Sequence, residues 1–275
     1  MNSETMPFSW PLACSLANYA ELAYARATIK DCRTNAQALV TLNEDGDLII
    51  AFKGSTTPRD FLQDAKLIMR PLDWTGNFSF AEAHAGFLED FMAIADATAN
   101  EVKSSLTAHN PERIYVTGHS LGGALAILGA LEFQRQKLPV TGVYTFGQPR
   151  VGNACFRALY DSELRTVTYR VVNQNDIVPR IPGWLQGYRH CGQEMFLLVG
   201  GGWCLNPCPA RKLLSDASGL YVAYRNRDEV LISDHYMKSY CQAMSLLRDP
   251  AAPNPIGQEP ETGYQRQRAT LNRET

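Results

Sequence analysis

The chain contains 275 residues, of which 45% are hydrophobic and 20% are charged, and its formal net charge is −2 at pH 7. This composition is ordinary for a globular enzyme with a sizeable core. It excludes nucleic acid and anionic bilayers as partners, because no basic field is present to hold them. We predict one folded domain over residues 10–248 and a disordered tail over residues 249–275, which contain few apolar groups.

The first part of the chain predicts a helix followed by a β-hairpin. Residues 13–27 carry apolar side chains at helical spacing, which indicates an amphipathic helix over a sheet. Apolar runs at 38–42 and 48–52 flank a short polar turn, a pattern typical of two antiparallel strands. The second strand runs into Ser55, our candidate for one N–H donor of an oxyanion hole, since acyl-transfer enzymes take such a donor from a loop after an early strand.

The segment from residue 58 to residue 80 is unusually apolar for a connection between elements. One interpretation is a helix and loop that pack into the core. The other is a short amphipathic lid at about 57–66, in which Phe61 and Leu62 expose apolar surface when the lid opens. The sequence leaves both interpretations open.

Residues 114–136 join a β-branched strand to an alanine-rich helix through Gly118-His-Ser-Leu-Gly122. A serine at such a sharp turn holds its hydroxyl above the sheet, and the flanking glycines let strand and helix approach closely. We therefore predict that Ser120 is a nucleophile and that the backbone N–H of Leu121 is the second oxyanion donor. The alternative is a tight turn in which Ser120 only caps the helix.

Strands and helices alternate through the rest of the chain. Further strands are predicted at 140–146, 166–172, 195–199 and 220–224, and further helices at 84–109, 153–164 and 233–247. This alternation predicts an α/β fold with a mostly parallel central sheet and helices on both faces. Ligands of such sheets bind at the carboxyl ends of the strands, where Ser55 and Ser120 fall.

A neutral serine needs a base, and the base needs a carboxylate that fixes its tautomer. Asp176 follows the strand predicted at 166–172 and is held by Pro179, so we predict it as this carboxylate. Asp234 also stands next to a histidine, but the side chains of adjacent residues diverge. Asp176 is therefore the stronger candidate.

Five histidines are candidate bases: His84, His109, His119, His190 and His235. His119 leaves the turn in a different direction from the neighbouring serine. His84 and His109 precede the serine, against the order Ser, acid, His expected for this fold. His190 and His235 remain, and His235 is favoured because it begins a helix after the acid and can drop onto the strand ends.

The seven cysteines are an odd number, so at least one is unpaired. A local disulfide between Cys204 and Cys208 fits their Gly- and Pro-rich loop. No second ligand pair stands at the spacing of a zinc site, so neither metal nor cofactor is predicted. Residues 1–11 do not resemble a secretory signal, and no apolar stretch of about 18 residues predicts a transmembrane anchor. The compartment stays open between the cytosol, export by another route and loss of a leader.

Four motifs together carry a resemblance to a known family. They are Gly118-His-Ser-Leu-Gly122, Phe146-Gly-Gln-Pro-Arg-Val-Gly152, Asn173-Gln-Asn-Asp176-Ile-Val-Pro179 and Asp234-His235-Tyr236. In this order they resemble the class 3 lipases, the family of the filamentous-fungal triacylglycerol lipases, over residues 38–240. Residues 200–230 depart from the family pattern, which leaves the acyl specificity undetermined.

The resemblance implies an α/β-hydrolase fold and a set of site residues. These are Ser120 as nucleophile, Asp176 as acid, His235 as base, Ser55 and Leu121 as the oxyanion hole, and Asp64 as the support of the Ser55 hydroxyl. The predicted function is a carboxylic ester hydrolase, most closely a triacylglycerol lipase, which forms an acyl-enzyme from an ester lipid met at a lipid–water interface. Alternatives are a short-chain, feruloyl or phospholipid esterase on the same fold, and a non-catalytic lipid-binding or interaction domain.

Overall fold

The computed structural model describes residues 7–55, 68–72, 80–173, 176–198, 202–208, 234–245 and 247. The strands within them are β1 (Ile29–Lys30), β2 (Gln37–Leu42), β3 (Leu48–Phe52), β4 (Met69–Pro71), β5 (Glu82–His84), β6 (Ile114–His119), β7 (Gly142–Phe146), β8 (Thr168–Asn173), β9 (Gln193–Leu198) and β10 (Gly202–Leu205). The α-helices are α1 (Trp10–Arg26), α2 (Ala85–His109), α3 (Leu121–Arg135), α4 (Ala154–Leu164) and α5 (Met237–Ser245).

Eight strands form one mixed sheet in the order β1-β2-β3-β6-β7-β8-β9-β10. The five central strands, from β3 to β9, run parallel, and antiparallel strands extend the sheet at both ends. The helices α2, α3 and α4 lie in the crossovers between successive parallel strands. The crossover from β8 to β9 instead contains two 3-10 turns, Val178–Arg180 and Trp184–Gln186. β4 and β5 form a separate hairpin.

Apolar side chains cover both faces of the sheet. On one face, α2, α3 and α4 bury residues such as Phe91, Leu125 and Phe156 against the strands. On the other face, α1 and α5 bury residues such as Leu16 and Tyr240. The apolar faces of the helices and the mostly buried central strands produce the two-sided covering typical of parallel sheets.

The fold class predicted from the sequence is confirmed, since a mostly parallel sheet carries helices on both faces. α1 begins three residues before the predicted helix because the Ser9 hydroxyl accepts a hydrogen bond from the Leu12 amide and Pro11 occupies the first turn. The strand predicted at 220–224 and the tail predicted at 249–275 lie outside the described residues. Both stay predictions.

The local disulfide that the sequence left possible between Cys204 and Cys208 does not form, because both residues are free thiols. Cys204 lies within β10, where the sequence indicates only a loop, and pairs with Phe196 in the antiparallel ladder. The extended backbone of a strand carries the chain away from Cys204 instead of folding it back. The described part of the chain contains no helix that combines the length and the hydropathy of a membrane span.

Candidate active site

Ser120 occupies the sharp turn between β6 and α3. Its backbone has φ 58° and ψ −128°. An L-residue rarely adopts this conformation, which costs on the order of 1–3 kcal/mol. The sheet and the helix hold the turn: the Ser120 amide donates to the Phe146 carbonyl at 2.9 Å, and the Gly123 amide donates to the Ser120 carbonyl at 2.9 Å. The strained turn fixes the serine at the carboxyl edge of the sheet.

The two glycines that flank Ser120 let α3 begin almost in contact with the sheet. A β-carbon on Gly118 would stand 2.2 Å from the carbonyl oxygen of Gly122. A β-carbon on Gly122 would stand 2.1 Å from the carbonyl oxygen of Phe52, at the end of β3. Both separations are far shorter than van der Waals contact, so the glycines have the steric role that the sequence predicted.

The start of α3 and the loop after β3 meet beside the serine. Leu121 is the first residue of α3, so its backbone N–H has no partner within the helix. The amide nitrogen of Gly54 lies 2.9 Å from the position that a β-carbon on Gly122 would take. Ser55 follows Gly54 in this loop and is partly buried. Both candidate oxyanion donors, Ser55 and Leu121, therefore belong to segments that touch at the same edge.

Asp176 lies just after β8 and is fully buried, and its carboxyl group accepts three hydrogen bonds from described residues. Its Oδ1 accepts from the Val178 amide at 2.8 Å. Its Oδ2 accepts from the Tyr240 hydroxyl at 2.6 Å and from His235 Nδ1 at 2.8 Å. The three donors fix the orientation of the carboxyl group on both of its oxygens, as an acid that orients a histidine requires.

The imidazole of His235 is fully buried and points its Nδ1 at Asp176. With the proton on Nδ1, the second ring nitrogen, Nε2, is the basic atom. Neither Nε2 of His235 nor Oγ of Ser120 has a hydrogen-bond partner among the described residues, although both atoms are buried. Buried polar atoms without a partner are rare in folded proteins and call for an explanation. A hydroxyl and a basic ring nitrogen left unpaired at one edge of the sheet are the groups that a nucleophile and its base require.

The segment that carries His235 is tied to the strand ends. The Asn173 side chain, at the end of β8, donates to the backbone carbonyl of Asp234 at 3.1 Å. Gly147, just after β7, has φ 59°, and a β-carbon on it would stand 2.8 Å from Asp176 Oδ2 and 3.0 Å from His235 Nδ1. Only glycine leaves room for the acid and the imidazole there. Asp234, the alternative acid, contributes its carbonyl to this segment, whereas the His235 ring bonds Asp176.

A chain of hydrogen bonds that the sequence did not reveal connects the loop after β3 to the back of His235. The Gly54 amide donates to the Tyr24 hydroxyl, which lies 2.9 Å from Nδ1 of His119. Nε2 of His119 lies 2.6 Å from the carbonyl oxygen of His235. Because a carbonyl oxygen only accepts, Nε2 carries the proton and Tyr24 donates to Nδ1. The rings of His119 and His235 lie 4.6 Å apart, so His119 supports the candidate base from behind.

We predict that His119 makes the stability of the protein depend on pH. Burial, and after it the charge of the neighbouring His235, lower the pKa of His119 from 6.5 to about 3. Between pH 6.5 and about pH 3, His119 is therefore protonated in the unfolded chain and neutral in the folded chain. The free energy of unfolding falls as the pH falls through this range. The contribution is about 1.4 kcal/mol per pH unit.

Urea unfolding of the parent and of His119→Gln between about pH 7 and pH 4.5 measures this effect. Glutamine keeps a donor and an acceptor in similar positions, and other titrating groups act on both proteins alike. The free energy of unfolding of the variant should fall less steeply with acid. Equal slopes for the two proteins would show that His119 titrates normally.

The remaining candidates for the base, His84, His109 and His190, have other positions in the structure. His190 donates from Nε2 to the carbonyl of Pro179 at 2.7 Å. Nδ1 of His84 accepts from the Phe87 amide and caps α2. His109 is the last residue of α2.

Three predicted site residues cannot be compared with the structure. Phe61, Leu62 and Asp64, together with the lid candidate at 57–66, lie outside the described residues. They stay predictions. Among the residues that are described, no group of three or more His, Cys, Asp or Glu could hold a metal ion.

Comparison with protein families gives a match over the centre of the chain. The family described as Lipase (class 3) matches residues 49–186, which is 138 of the 275 residues. The matched segment runs from β3 to the 3-10 turn before β9 and includes Ser120 and Asp176. His235 lies beyond it.

Individual lipases and phospholipases are also similar to this chain in sequence. A secreted mono- and diacylglycerol lipase of Fusarium solani is 30% identical over 192 residues, which cover 68% of this chain and 56% of the relative. A chloroplastic phospholipase A(1) of Arabidopsis thaliana, DAD1, is 30% identical over 152 residues, covering 50% of this chain and 34% of the relative. The chain thus spans about half or less of the length of these relatives.

A solved structure of a triacylglycerol lipase is similar in fold and sequence. In that protein, a serine protease triad forms the catalytic centre. It is 26% identical to this chain with a TM-score of 0.60, and the match covers 70% of this chain and 79% of that chain. The structural match extends the likeness well beyond the segment of the family match.

Proposed function

Because the chain belongs to the class 3 lipase family, we propose that it is a carboxylic ester hydrolase and, most closely, a triacylglycerol lipase. The observation that carries the proposal is the buried hydrogen bond of 2.8 Å between Asp176 and His235, on the sheet edge where Ser120 occupies a strained turn. The Fusarium relative supports ester lipids as the substrate class. The solved lipase supports a serine protease type of triad.

In the proposed reaction, Oγ of Ser120 attacks the ester carbonyl while Nε2 of His235 accepts the hydroxyl proton. Asp176 holds the Nδ1 proton and stabilises the imidazolium that forms. The carbonyl oxygen becomes an oxyanion, which accepts hydrogen bonds from the backbone N–H groups of Ser55 and Leu121. The ester C–O bond then breaks, His235 gives its proton to the leaving alcohol, and the acyl group stays on the serine.

Water completes the cycle by the same route. His235 accepts a proton from a water molecule, whose oxygen attacks the acyl carbon. The oxyanion donors stabilise the second tetrahedral intermediate as they did the first. When the C–O bond to Ser120 breaks, His235 returns the proton to the hydroxyl and the carboxylic acid leaves.

We propose that a covering segment moves before substrate reaches this site, and the full burial of Ser120, Asp176 and His235 supports this. We propose the segment at 57–66 as the lid, with Phe61 and Leu62 on its apolar side. Opening at a lipid–water interface is favoured, since apolar side chains then leave water for lipid. Asp64 is proposed to steady the hydroxyl of Ser55.

Phospholipid hydrolysis is a second candidate function. The Arabidopsis relative is named as a phospholipase A(1), and its identity to this chain equals that of the Fusarium lipase. Both activities cleave a carboxylic ester of glycerol and would use the same triad. They differ in the polar group that the substrate site accepts.

A substrate series tests the proposal. Fatty acid release should be measured from emulsified triacylglycerol, from phosphatidylcholine vesicles and from nitrophenyl esters of increasing chain length. We expect the rate on triacylglycerol to exceed the rate on phosphatidylcholine. We also expect it to rise disproportionately when the substrate concentration passes its solubility limit, because the lid opens on aggregated substrate.

The other outcomes discriminate between the alternatives. Activity confined to soluble short-chain esters would indicate an esterase, and preferential release from phosphatidylcholine would indicate a phospholipase. A smooth saturation curve through the solubility limit would contradict a moving lid. Absence of both hydrolysis and labelling by a phosphonate ester would leave the non-catalytic lipid-binding alternative.

A further inference from the structure

Two large apolar side chains project from a tight turn in the connection between β8 and β9. The 3-10 turn Trp184–Gln186 leaves 63% of Trp184 and 79% of Leu185 exposed. Single exposed apolar residues are common on protein surfaces, but adjacent ones at the tip of a turn suggest an interaction site. We refer to Trp184 and Leu185 together as the apolar turn.

The backbone of the apolar turn is held by internal hydrogen bonds. The Gln186 amide donates to the Gly183 carbonyl at 3.2 Å, and the Gly187 amide donates to the Trp184 carbonyl at 3.1 Å. Nη1 of Arg189 donates to the same Trp184 carbonyl at 2.8 Å. These hydrogen bonds lower the desolvation penalty of the groups that they join, and the fixed shape of the turn lowers the entropy lost on binding.

The apolar turn lies at the edge of the sheet that carries the candidate active site. The connection that carries it also contains Asp176, and it is bonded to the loop after β7, because the Arg150 amide donates to the Ile181 carbonyl at 2.9 Å. At the other end of the turn, Cε of Met69 lies 3.6 Å from the position of a β-carbon on Gly187. Ile68, next to Met69, is 58% exposed and adds apolar surface beside the turn.

We infer that the apolar turn inserts into the surface of aggregated ester lipid and holds the active-site edge against it. The inference rests on the proposed function. A tryptophan next to an aliphatic side chain suits a lipid–water boundary, because its ring is apolar and its N–H can meet polar headgroups. The net charge of −2 offers no general electrostatic attraction to lipid. Apolar insertion therefore supplies the affinity, and the apolar turn acts in addition to any lid.

Binding to lipid can be measured without catalysis in a Ser120→Ala background. Sedimentation with vesicles of phosphatidylcholine should show binding that persists in high salt, since apolar contacts are not screened. The double substitution Trp184→Ser with Leu185→Ser should lower the partition coefficient by about tenfold or more, as expected from the lost burial of two large apolar side chains. Unchanged partitioning of this double variant would overturn the inference.

Leu205→Ser is the matched control. Leu205 is 46% exposed on β10. It pairs with Met195, which lies three residues before Leu198, the end of β9 at the active-site edge, so Leu205 is set back from that edge. We expect this control to bind vesicles like the parent. Loss of binding equal to that of the double variant would mean that any exposed leucine contributes, and it would also overturn the inference.

Two further readouts identify the side chain and separate this inference from the proposed function. Brominated phosphatidylcholine should quench part of the tryptophan fluorescence of the parent, and Trp184→Phe should lose that part while keeping most of the binding. In the catalytic protein, the double variant should lose activity on emulsified triacylglycerol but not on a soluble nitrophenyl ester. A protein inactive on every ester but still bound through the turn would refute the proposed function alone.

Discussion

Replacement of Ser120 by alanine is expected to lower kcat on a soluble ester by about 10⁶-fold, because the variant has no nucleophile for the acyl-enzyme step. The hydroxyl has no hydrogen-bond partner among the described residues, so its removal breaks no contact seen there. Alanine must adopt the same φ of 58°, so the strain at the turn is unchanged. Labelling by a phosphonate ester should disappear together with the activity.

Ser245→Ala is the control for this substitution. Ser245 is exposed at the end of α5, where its hydroxyl donates to the Gln242 carbonyl at 2.8 Å. This variant should keep both the activity and the label. A phosphonate adduct on the Ser120→Ala protein, or a rate loss of only about tenfold, would assign the nucleophile to another residue.

Replacement of Asp176 by asparagine is expected to lower kcat by about 10⁴-fold while the fold is kept. Oδ2 of Asp176 faces two donors, His235 Nδ1 and the Tyr240 hydroxyl, and Oδ1 faces the Val178 amide. An asparagine NH₂ group on the histidine side would force the proton of His235 onto Nε2, which could then no longer accept the serine proton. With the NH₂ group on the other side, the negative charge that stabilises the imidazolium is still lost.

Tyr240→Phe is the matched comparison, because it removes a hydrogen bond to the same oxygen, together with the one that the hydroxyl accepts from the Asn173 amide, and leaves the charge. We expect its kcat to fall by about tenfold or less, since the support loses hydrogen bonds but no charge. Circular dichroism and thermal unfolding would confirm that both variants are folded. If the two substitutions had equal effects on kcat, the charge of Asp176 would not be the property that matters.

The parts of the site that the sequence could predict are those fixed by short-range sterics. The turn at Ser120 requires glycine on both sides, since Gly118 and Gly122 contact backbone atoms of neighbouring segments. A strand, this turn and a helix within about twenty residues leave few alternatives for the local geometry. Asp176 and His235 lie far from Ser120 in the chain, so no local pattern assigns them. Their order after the serine and the resemblance to a family predicted them together.

The supporting residues could not be predicted, because their contacts link distant parts of the chain. Tyr24 and His119 lie 95 residues apart, and neither stands in a local pattern that indicates the other. Chain order and side-chain direction exclude His119 as the base, yet it is one of the residues that hold the base. Tyr240 reaches Asp176 across 64 residues. The hairpin of β4 and β5 was missed because strands of three residues are too short to show alternation.

The covering of the sheet on both faces has a consequence for engineering. Ser120 and Leu121 belong to the layer of α3. His235 is tied to α1 through His119 and Tyr24, and to α5 through Asp176 and Tyr240. A slip of about 1 Å of one layer past the other would misalign His235 with Ser120 and lower turnover by about 100-fold. Substitutions that aim at higher thermostability are therefore best made at solvent-exposed positions of α1. They should leave Tyr24 and its neighbours on the same face unchanged.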